Sequence, residues 1–197
     1  MNRNADITAV ILAGGLSSRM GEDKALLHWR ERPFIAHIVD CLQARVETIA
    51  INTNAPAAFA QFGVPLIGDP YAERRGPLAG VLAALEYSAT ALTLIVPCDN
   101  PLLSPQLIER LSSEFSQNDI DLAYARVGGD RYYLYALLRS DLREHLRAHL
   151  SGGGRAVRHW YATLKIREID FSDQPHNFRN INCAADLAEL ASIAPEH

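Results

Sequence analysis

The chain has 197 residues, 48% of them hydrophobic and 21% charged, enough apolar material for one domain with a sizeable core. Its net charge of −4 gives no overall reason to expect a nucleic-acid or membrane-surface partner. Cys41, Cys98 and Cys183 are odd in number, widely spaced and form no C-x-x-C pair, which argues against a disulfide framework or zinc site and fits a reducing cytoplasm.

Met1 to Asp6 is polar and no apolar run approaches ~18–20 residues, so neither a signal peptide nor a membrane span is expected. Ile7–Ala13 reads as a first strand. Pro33 then opens a helix over Phe34–Ala44, with Ile35, Ile38, Val39 and Leu42 on one face. Thr48–Thr53 predicts a second strand, Pro56–Phe62 an Ala-rich helix and Pro65–Gly68 a short third strand. Leu78–Tyr87 carries Leu78, Val81, Leu82 and Leu85 at helical spacing. Leu92–Val96 is a continuous apolar run, the mark of a strand covered on both faces. Strands alternating with helices imply a mostly parallel sheet in a Rossmann-like, three-layer α/β/α fold.

The alternation loosens after residue 116. Leu122–Val127 and Tyr132–Leu138 read as strands joined at Gly128-Gly129-Asp130, a small β-hairpin extension. Ser140–Leu150 reads as a helix capped by Ser140 or Asp141, and Ser151-Gly152-Gly153-Gly154 breaks it. A short helix over Arg155–Tyr161, a strand over Leu164–Ile169 and a closing helix over Ala184–Ile193 follow. The expectation is one domain over 1–197, with a nucleotide-binding half to about residue 115 and an acceptor half over about 116–197.

The chemistry concentrates where the first strand ends. Leu12-Ala13-Gly14-Gly15 runs into a polar loop containing Arg19, Gly21 and Lys24. Amides at the glycine pair can approach an anion closely. Arg19 adds a planar fork and Lys24 a mobile charge, a plausible grip for a triphosphate. The loop is neither G-x-G-x-x-G nor G-x-x-x-x-G-K-[ST]. Val96-Pro97-Cys98-Asp99-Asn100-Pro101 sets a carboxylate just beyond the buried strand, on the edge where open α/β sheets take ligands. Mg²⁺ characteristically uses one or two carboxylates with substrate phosphates, which suits Asp99. Asn52 and Asp69 end neighbouring strands; they can read a base edge or ribose, or serve as turn residues. Gly76-Pro77-Leu78-Ala79-Gly80 either offers helix N-terminal amides to a ligand or only starts its helix. His145 and His149 stand at i, i+4 with no third ligand near in sequence and read as surface helix. Cys98 is not needed as a nucleophile in direct phosphoryl transfer.

The segment Leu12–Lys24 resembles the L-A-[GA]-G-x-S-x-R-M-G-x-x-K signature of the nucleotidyltransferases. Taken with Gly76–Gly80, Pro97–Pro101 and Asn180-Ile181-Asn182, in order along almost the whole chain, it is similar to the molybdenum cofactor guanylyltransferases, the MobA family. That resemblance implies transfer of GMP from GTP to Mo-molybdopterin with Mg²⁺ as cofactor. It implies GTP contacts at Leu12, Ala13, Gly14, Gly15, Lys24, Asn52, Asp69 and Asp99, with Asp99 also on the metal. Arg19, Lys24 and Asp99 would be catalytic. Arg155, Asn180 and Asn182 look like the acceptor-binding residues, although Arg155 can equally be a solvated arginine at a helix start. Leu-Ala-Gly-Gly is the guanine form of the loop, where the cytosine relatives have Leu-Ala-Ala-Gly. Tyr132-Tyr133 replaces the family's His-Pro pair, so acceptor contacts in that strand do not carry over. Product hand-over to molybdoenzyme-specific chaperones or other cofactor-biosynthesis proteins is implied, and catalysis is favoured over a non-catalytic carrier because the metal carboxylate is intact.

Overall fold

The structure is a computed structural model that describes residues 3–14, 24–71, 76–178, 181 and 186, the side chain of Lys24 excepted. Its elements, in order, are β1 (Asn4–Leu12), β2 (His28–Trp29), β3 (Arg32–Pro33), α1 (Phe34–Gln43), β4 (Val46–Asn52), α2 (Pro56–Phe59), β5 (Leu66–Ile67), α3 (Pro77–Tyr87), β6 (Leu92–Pro97), α4 (Leu107–Gln117), β7 (Leu122–Val127), β8 (Asp130–Arg139), α5 (Arg143–Ser151), α6 (Val157–Tyr161) and β9 (Ile166–Asp170). Seven strands form one sheet in the order β5-β4-β1-β6-β8-β7-β9, and β2 pairs with β3 apart from it. Only β8 runs against the other strands of the large sheet.

Alternation along each strand sends side chains to two cores. Ile7, Ala9 and Ile11 of β1 join Ile49, Ile51, Leu94, Val96 and Leu137 beneath α1 and α4. Val10, Ala50, Ile95, Ala136 and Leu138 point the other way, under α3, α5 and α6. Leu94, Ile95 and Val96 are fully buried, as expected of a strand covered on both faces.

Several expectations need adjustment. The hairpin expected as an extension is built into the large sheet: β8 pairs with β6, and β7 carries β9. The separate small hairpin is instead β2–β3, whose turn residues Arg30 and Glu31 both adopt positive φ, of 50° and 64°. It packs Trp29 and Phe34 against Ile181. Helix α4 is absent from the elements expected above, although Leu107, Ile108, Leu111 and Phe115 stand at helical spacing and face the core. The helix expected over Pro56–Phe62 stops at Phe59 and finishes as a 3-10 turn into Gly63, at φ 67°. Ser140 does not cap a helix; its hydroxyl is buried among Ser88 at 3.1 Å and Thr93 at 2.7 Å. The closing helix expected over Ala184–Ile193 lies outside the described residues, Asp186 apart. No helix among the described residues is long and apolar enough to cross a membrane.

Candidate active site

Four parallel strands end level on one edge. Leu12 pairs with Asn52 on one side and Pro97 on the other, and Asn52 pairs with Ile67. From β1 the chain passes first to β4 and β5 on one side, then by α3 to β6 on the opposite side. The strand order thus reverses at β1 and β6, which opens a crevice beyond their carboxyl ends. Gly14 and Asp99 follow these two strands directly.

One corner of the crevice is a tied polar cluster. Asn52 is 1% exposed. Its amide donates to Asp69 Oδ1 at 3.0 Å and to the Ile67 carbonyl at 3.3 Å. Asn54 donates to Asp69 Oδ2 at 2.9 Å and accepts the Asp69 backbone N–H at 3.2 Å. Asp69 is therefore held by both oxygens, each with lone-pair capacity left for a ligand. Two glycines make room for this arrangement. A Cβ on Gly80 would stand 2.5 Å from Asn52 Oδ1, a distance real Cβ atoms do not adopt. A Cβ on Gly14 would stand 3.2 Å from the same oxygen and 3.7 Å from Asp69 Oδ1, so the Gly14 backbone lies directly over the cluster.

The second corner holds Asp99, half-buried at the end of β6. Asn100 beside it is 2% exposed, and its Oδ1 accepts the Leu102 N–H at 2.8 Å, which closes the turn that carries the carboxylate. The Ile181 N–H donates to the Asp99 carbonyl at 3.1 Å. The centre of Asn180-Ile181-Asn182 is thus pinned to the carboxylate's own backbone. Tyr135 is 2% exposed at this corner. Burial, and next the Asp99 carboxylate, hold its phenol far above the ordinary tyrosine range, so it is a neutral hydroxyl. Cys98, adjacent to Asp99, and Cys41 are partly buried cysteines in no disulfide, and burial pushes the Cys41 thiol up.

Arg155 is exposed, and its guanidinium donates to the carbonyls of Leu150 at 3.0 Å and Gly154 at 2.7 Å, closing the end of α5. Its own carbonyl lies 4.0 Å from where a Gly76 Cβ would stand, which brings it to the start of α3. Gly76, at φ 69°, turns the chain there before Pro77 begins the helix. His145 accepts the Trp160 indole N–H at 3.0 Å, and no cluster of three or more metal-ligating side chains occurs among the described residues. Gly15, Arg19, Asn180 and Asn182, the side chain of Lys24, and Cys183 lie outside the described residues.

The sequence reading names Asn52 and Asp69 but passes over Asn54, Gly80 as a cradle for Asn52, Asn100 and Tyr135. Asn54 follows Asn52 by two residues and Asn100 follows Asp99 directly, so both are near neighbours of named residues. Gly80 and Tyr135 take their roles from partners distant in sequence.

The fold and this edge define a nucleotidyltransferase-type α/β protein, with polar residues at consecutive strand ends around a crevice suited to a nucleotide. A family model described as MobA-like NTP transferase domain matches residues 9–167, and the chain belongs to that family. It is 38% identical over 187 residues to the molybdenum cofactor guanylyltransferase of Shewanella sediminis, covering 94% of this chain and 95% of that one. It is 40% identical over 183 residues to the molybdenum cofactor guanylyltransferase of Mannheimia succiniciproducens, covering 92% and 96%. Among solved structures, molybdopterin-guanine dinucleotide biosynthesis protein A from Archaeoglobus fulgidus superposes with a TM-score of 0.79 at 19% identity, over 92% of this chain and 95% of that chain. At that identity the superposition shows the shared fold.

Proposed function

We propose that this protein transfers GMP from GTP to the terminal phosphate of Mo-molybdopterin, forming the guanine dinucleotide cofactor and pyrophosphate. The observation that carries this reading is the Asn52–Asn54–Asp69 cluster under Gly14, one strand away from Asp99. Guanine presents N–H donors along its pairing edge, and a carboxylate fixed by two amides is a preformed acceptor for them. Cytosine presents acceptors at the corresponding positions, which Asp69 would repel.

The donor set fits a magnesium ion. Asp99 is a single carboxylate at a strand end, and Mg²⁺ keeps waters and phosphates as its other ligands. Asp69, held by Asn52 and Asn54, turns its remaining acceptor capacity to the base in this reading. Bound at Asp99, the metal would neutralise charge on the triphosphate and orient it. The remaining work falls to the chain. Amides at Gly14 and Gly15, with Arg19 and Lys24, hold the phosphates and stabilise the leaving pyrophosphate. Arg155, Asn180 and Asn182 hold the pterin phosphate, and the Ile181–Asp99 backbone bond keeps that segment beside the reacting centre. One phosphate oxygen attacks the α-phosphorus in line, and the bond to the oxygen that bridges the α- and β-phosphorus breaks. The nucleophile is already anionic at neutral pH, so no general base is needed; rate comes from positioning and charge neutralisation. Residues up to about 115 then serve the nucleotide, and 116–197 serve the acceptor. Cys41 and Cys98, in no disulfide, fit a cytoplasmic enzyme, and release to molybdoenzyme-specific chaperones or other cofactor-biosynthesis proteins would follow.

Incubating the protein with Mo-molybdopterin, Mg²⁺ and each of GTP, CTP, ATP and UTP, and separating the products, tests the reading. Guanine dinucleotide and equimolar pyrophosphate from GTP are expected. The cytosine dinucleotide as main product, or pyrophosphate release without molybdopterin, would overturn it.

A further inference from the structure

Strand β8 carries an irregularity at the active edge. Its register with β7 runs Leu122–Leu138, Ala123–Leu137 and Tyr124–Ala136, then jumps to Ala125–Tyr132. Tyr133, Leu134 and Tyr135 have no partner across that jump. On the other side, pairing with β6 stops at Ile95–Ala136. Tyr135 is therefore the first residue past the last pair, where β6 continues through Val96 and Pro97 toward Asp99. Tyr135 keeps the face of Leu137, two residues on, and so points into the core that holds Phe171 and Phe178. The ring is wedged against Phe178 at 5.1 Å and Tyr132 at 6.0 Å between centroids, so it has no freedom to leave.

The hydroxyl at the end of that ring is buried, and the Asn100 side-chain amide beside Asp99 faces its oxygen without a well-formed hydrogen bond. The phenol proton has no acceptor among the described residues. A buried hydroxyl whose proton lacks an acceptor is costly to keep. A phenylalanine would fill the same space without that cost, so packing alone does not account for the oxygen. Asp99 is the charged neighbour that bears most strongly on this phenol.

We propose that Tyr135 is a positioning residue for Asp99: its hydroxyl donates to one carboxylate oxygen of Asp99 when the other engages a divalent metal, fixing the angle of that ligand. The proposal rests on the reading of Asp99 as the metal ligand. Ligating carboxylates are commonly held by an outer hydrogen bond, and losing that bond typically lowers metal affinity by about 10–100-fold.

The test compares Tyr135→Phe and Asp99→Asn with the parent by titrating Mn²⁺ into the full-length protein–GTP complex and following free Mn²⁺ by electron paramagnetic resonance. For Tyr135→Phe we expect about tenfold weaker Mn²⁺ binding, an equal upward shift in the Mg²⁺ concentration for half-maximal turnover, and turnover at saturating Mg²⁺ within about threefold of parent. The metal-free melting temperature should be unchanged or higher, since a hydroxyl whose proton lacks an acceptor has been removed; a purely structural tyrosine would give a lower one. Asp99→Asn should lose the protein-dependent Mn²⁺ site. Parent-like Mn²⁺ affinity in Tyr135→Phe, with the site lost in Asp99→Asn, would overturn the role of Tyr135 alone. Parent-like affinity in Asp99→Asn would overturn the reading of Asp99 itself.

Discussion

The two corners of the crevice solve opposite problems with similar residues. At the Asp69 corner both carboxylate oxygens already accept amide hydrogens, and Asn52 is locked between Gly14 and Gly80. At the Asp99 corner the neighbouring polar groups are less fully tied: the buried Tyr135 hydroxyl faces the Asn100 amide without a well-formed hydrogen bond, and its proton has no acceptor among the described residues. A site that reads a rigid base gains from acceptors fixed in advance, because it then has little to reorganise on binding. A site that takes a metal and two phosphate groups needs donors that become satisfied only when charge arrives. Stability is thus placed at the reading corner and withheld at the reacting one, an expected trade where function needs a less satisfied state.

Removing Asp99 should have the largest effect. Asp99→Ala is expected to lower kcat by at least 10²–10³-fold while the far-ultraviolet circular dichroism and melting temperature stay close to parent, the scale of losing one charge-stabilising group. Turnover above about a tenth of parent at saturating Mg²⁺ would mean that the reacting corner lies elsewhere.

Gly80→Ala attacks the other corner from behind. Its Cβ would sit 2.5 Å from Asn52 Oδ1, against a side chain locked in place. Overpacking of this kind costs about 1–3 kcal/mol, so a lower melting temperature and roughly tenfold weaker GTP binding by calorimetry are expected, with metal activation unmoved. Parent-like stability and GTP affinity would show that the cluster can shift without consequence.

Gly14→Ala is gentler, with a contact of 3.2 Å to the same oxygen. It should erode the ratio of kcat/KM for GTP over CTP by about tenfold, within the ~1–3 kcal/mol that one methyl commands in a tight pocket. An unchanged ratio would move base selection off the glycine loop.

Arg155→Ala should have the smallest effect. Its guanidinium holds two carbonyls at the end of α5, and an exposed neutral acceptor returns only about 0.5–1.5 kcal/mol. If it also meets the acceptor phosphate, the KM for molybdopterin rises about tenfold while GTP affinity holds. A drop in melting temperature with both constants unchanged would confine Arg155 to closing its helix.

Much of this comparison was legible before the structure. An apolar run that ends in a lone polar residue marks a strand end facing the crevice, so Asn52, Asp69 and Asp99 stood out, as did the glycine loop. What escaped depends on pairing. Tyr135 looks like one more aromatic in a core strand until the fold brings Asp99 and Asn100 from β6's end beside its hydroxyl. Gly80 looks like a tolerated glycine in a helix until Asn52 from another strand is seen to occupy its missing Cβ position. Helix α4 was legible too, since Leu107, Ile108, Leu111 and Phe115 repeat at helical spacing, but the expected elements do not include it. For Tyr135 and Gly80 the role is set by a partner far along the chain.

The central claim is that the Asp69 corner reads the base and the Asp99 corner performs the chemistry. The most direct measurement is the selectivity of Asp69→Asn, taken as kcat/KM for GTP over CTP at saturating Mg²⁺. The substitution keeps the shape but replaces one accepting oxygen with a donor, so the ratio should fall by about 10–100-fold, in line with the 1.5–3 kcal/mol of a charged hydrogen bond, while the Mg²⁺ concentration for half-maximal turnover stays at the parent value. A parent-like ratio, or a change in metal dependence in place of the change in ratio, would contradict the claim.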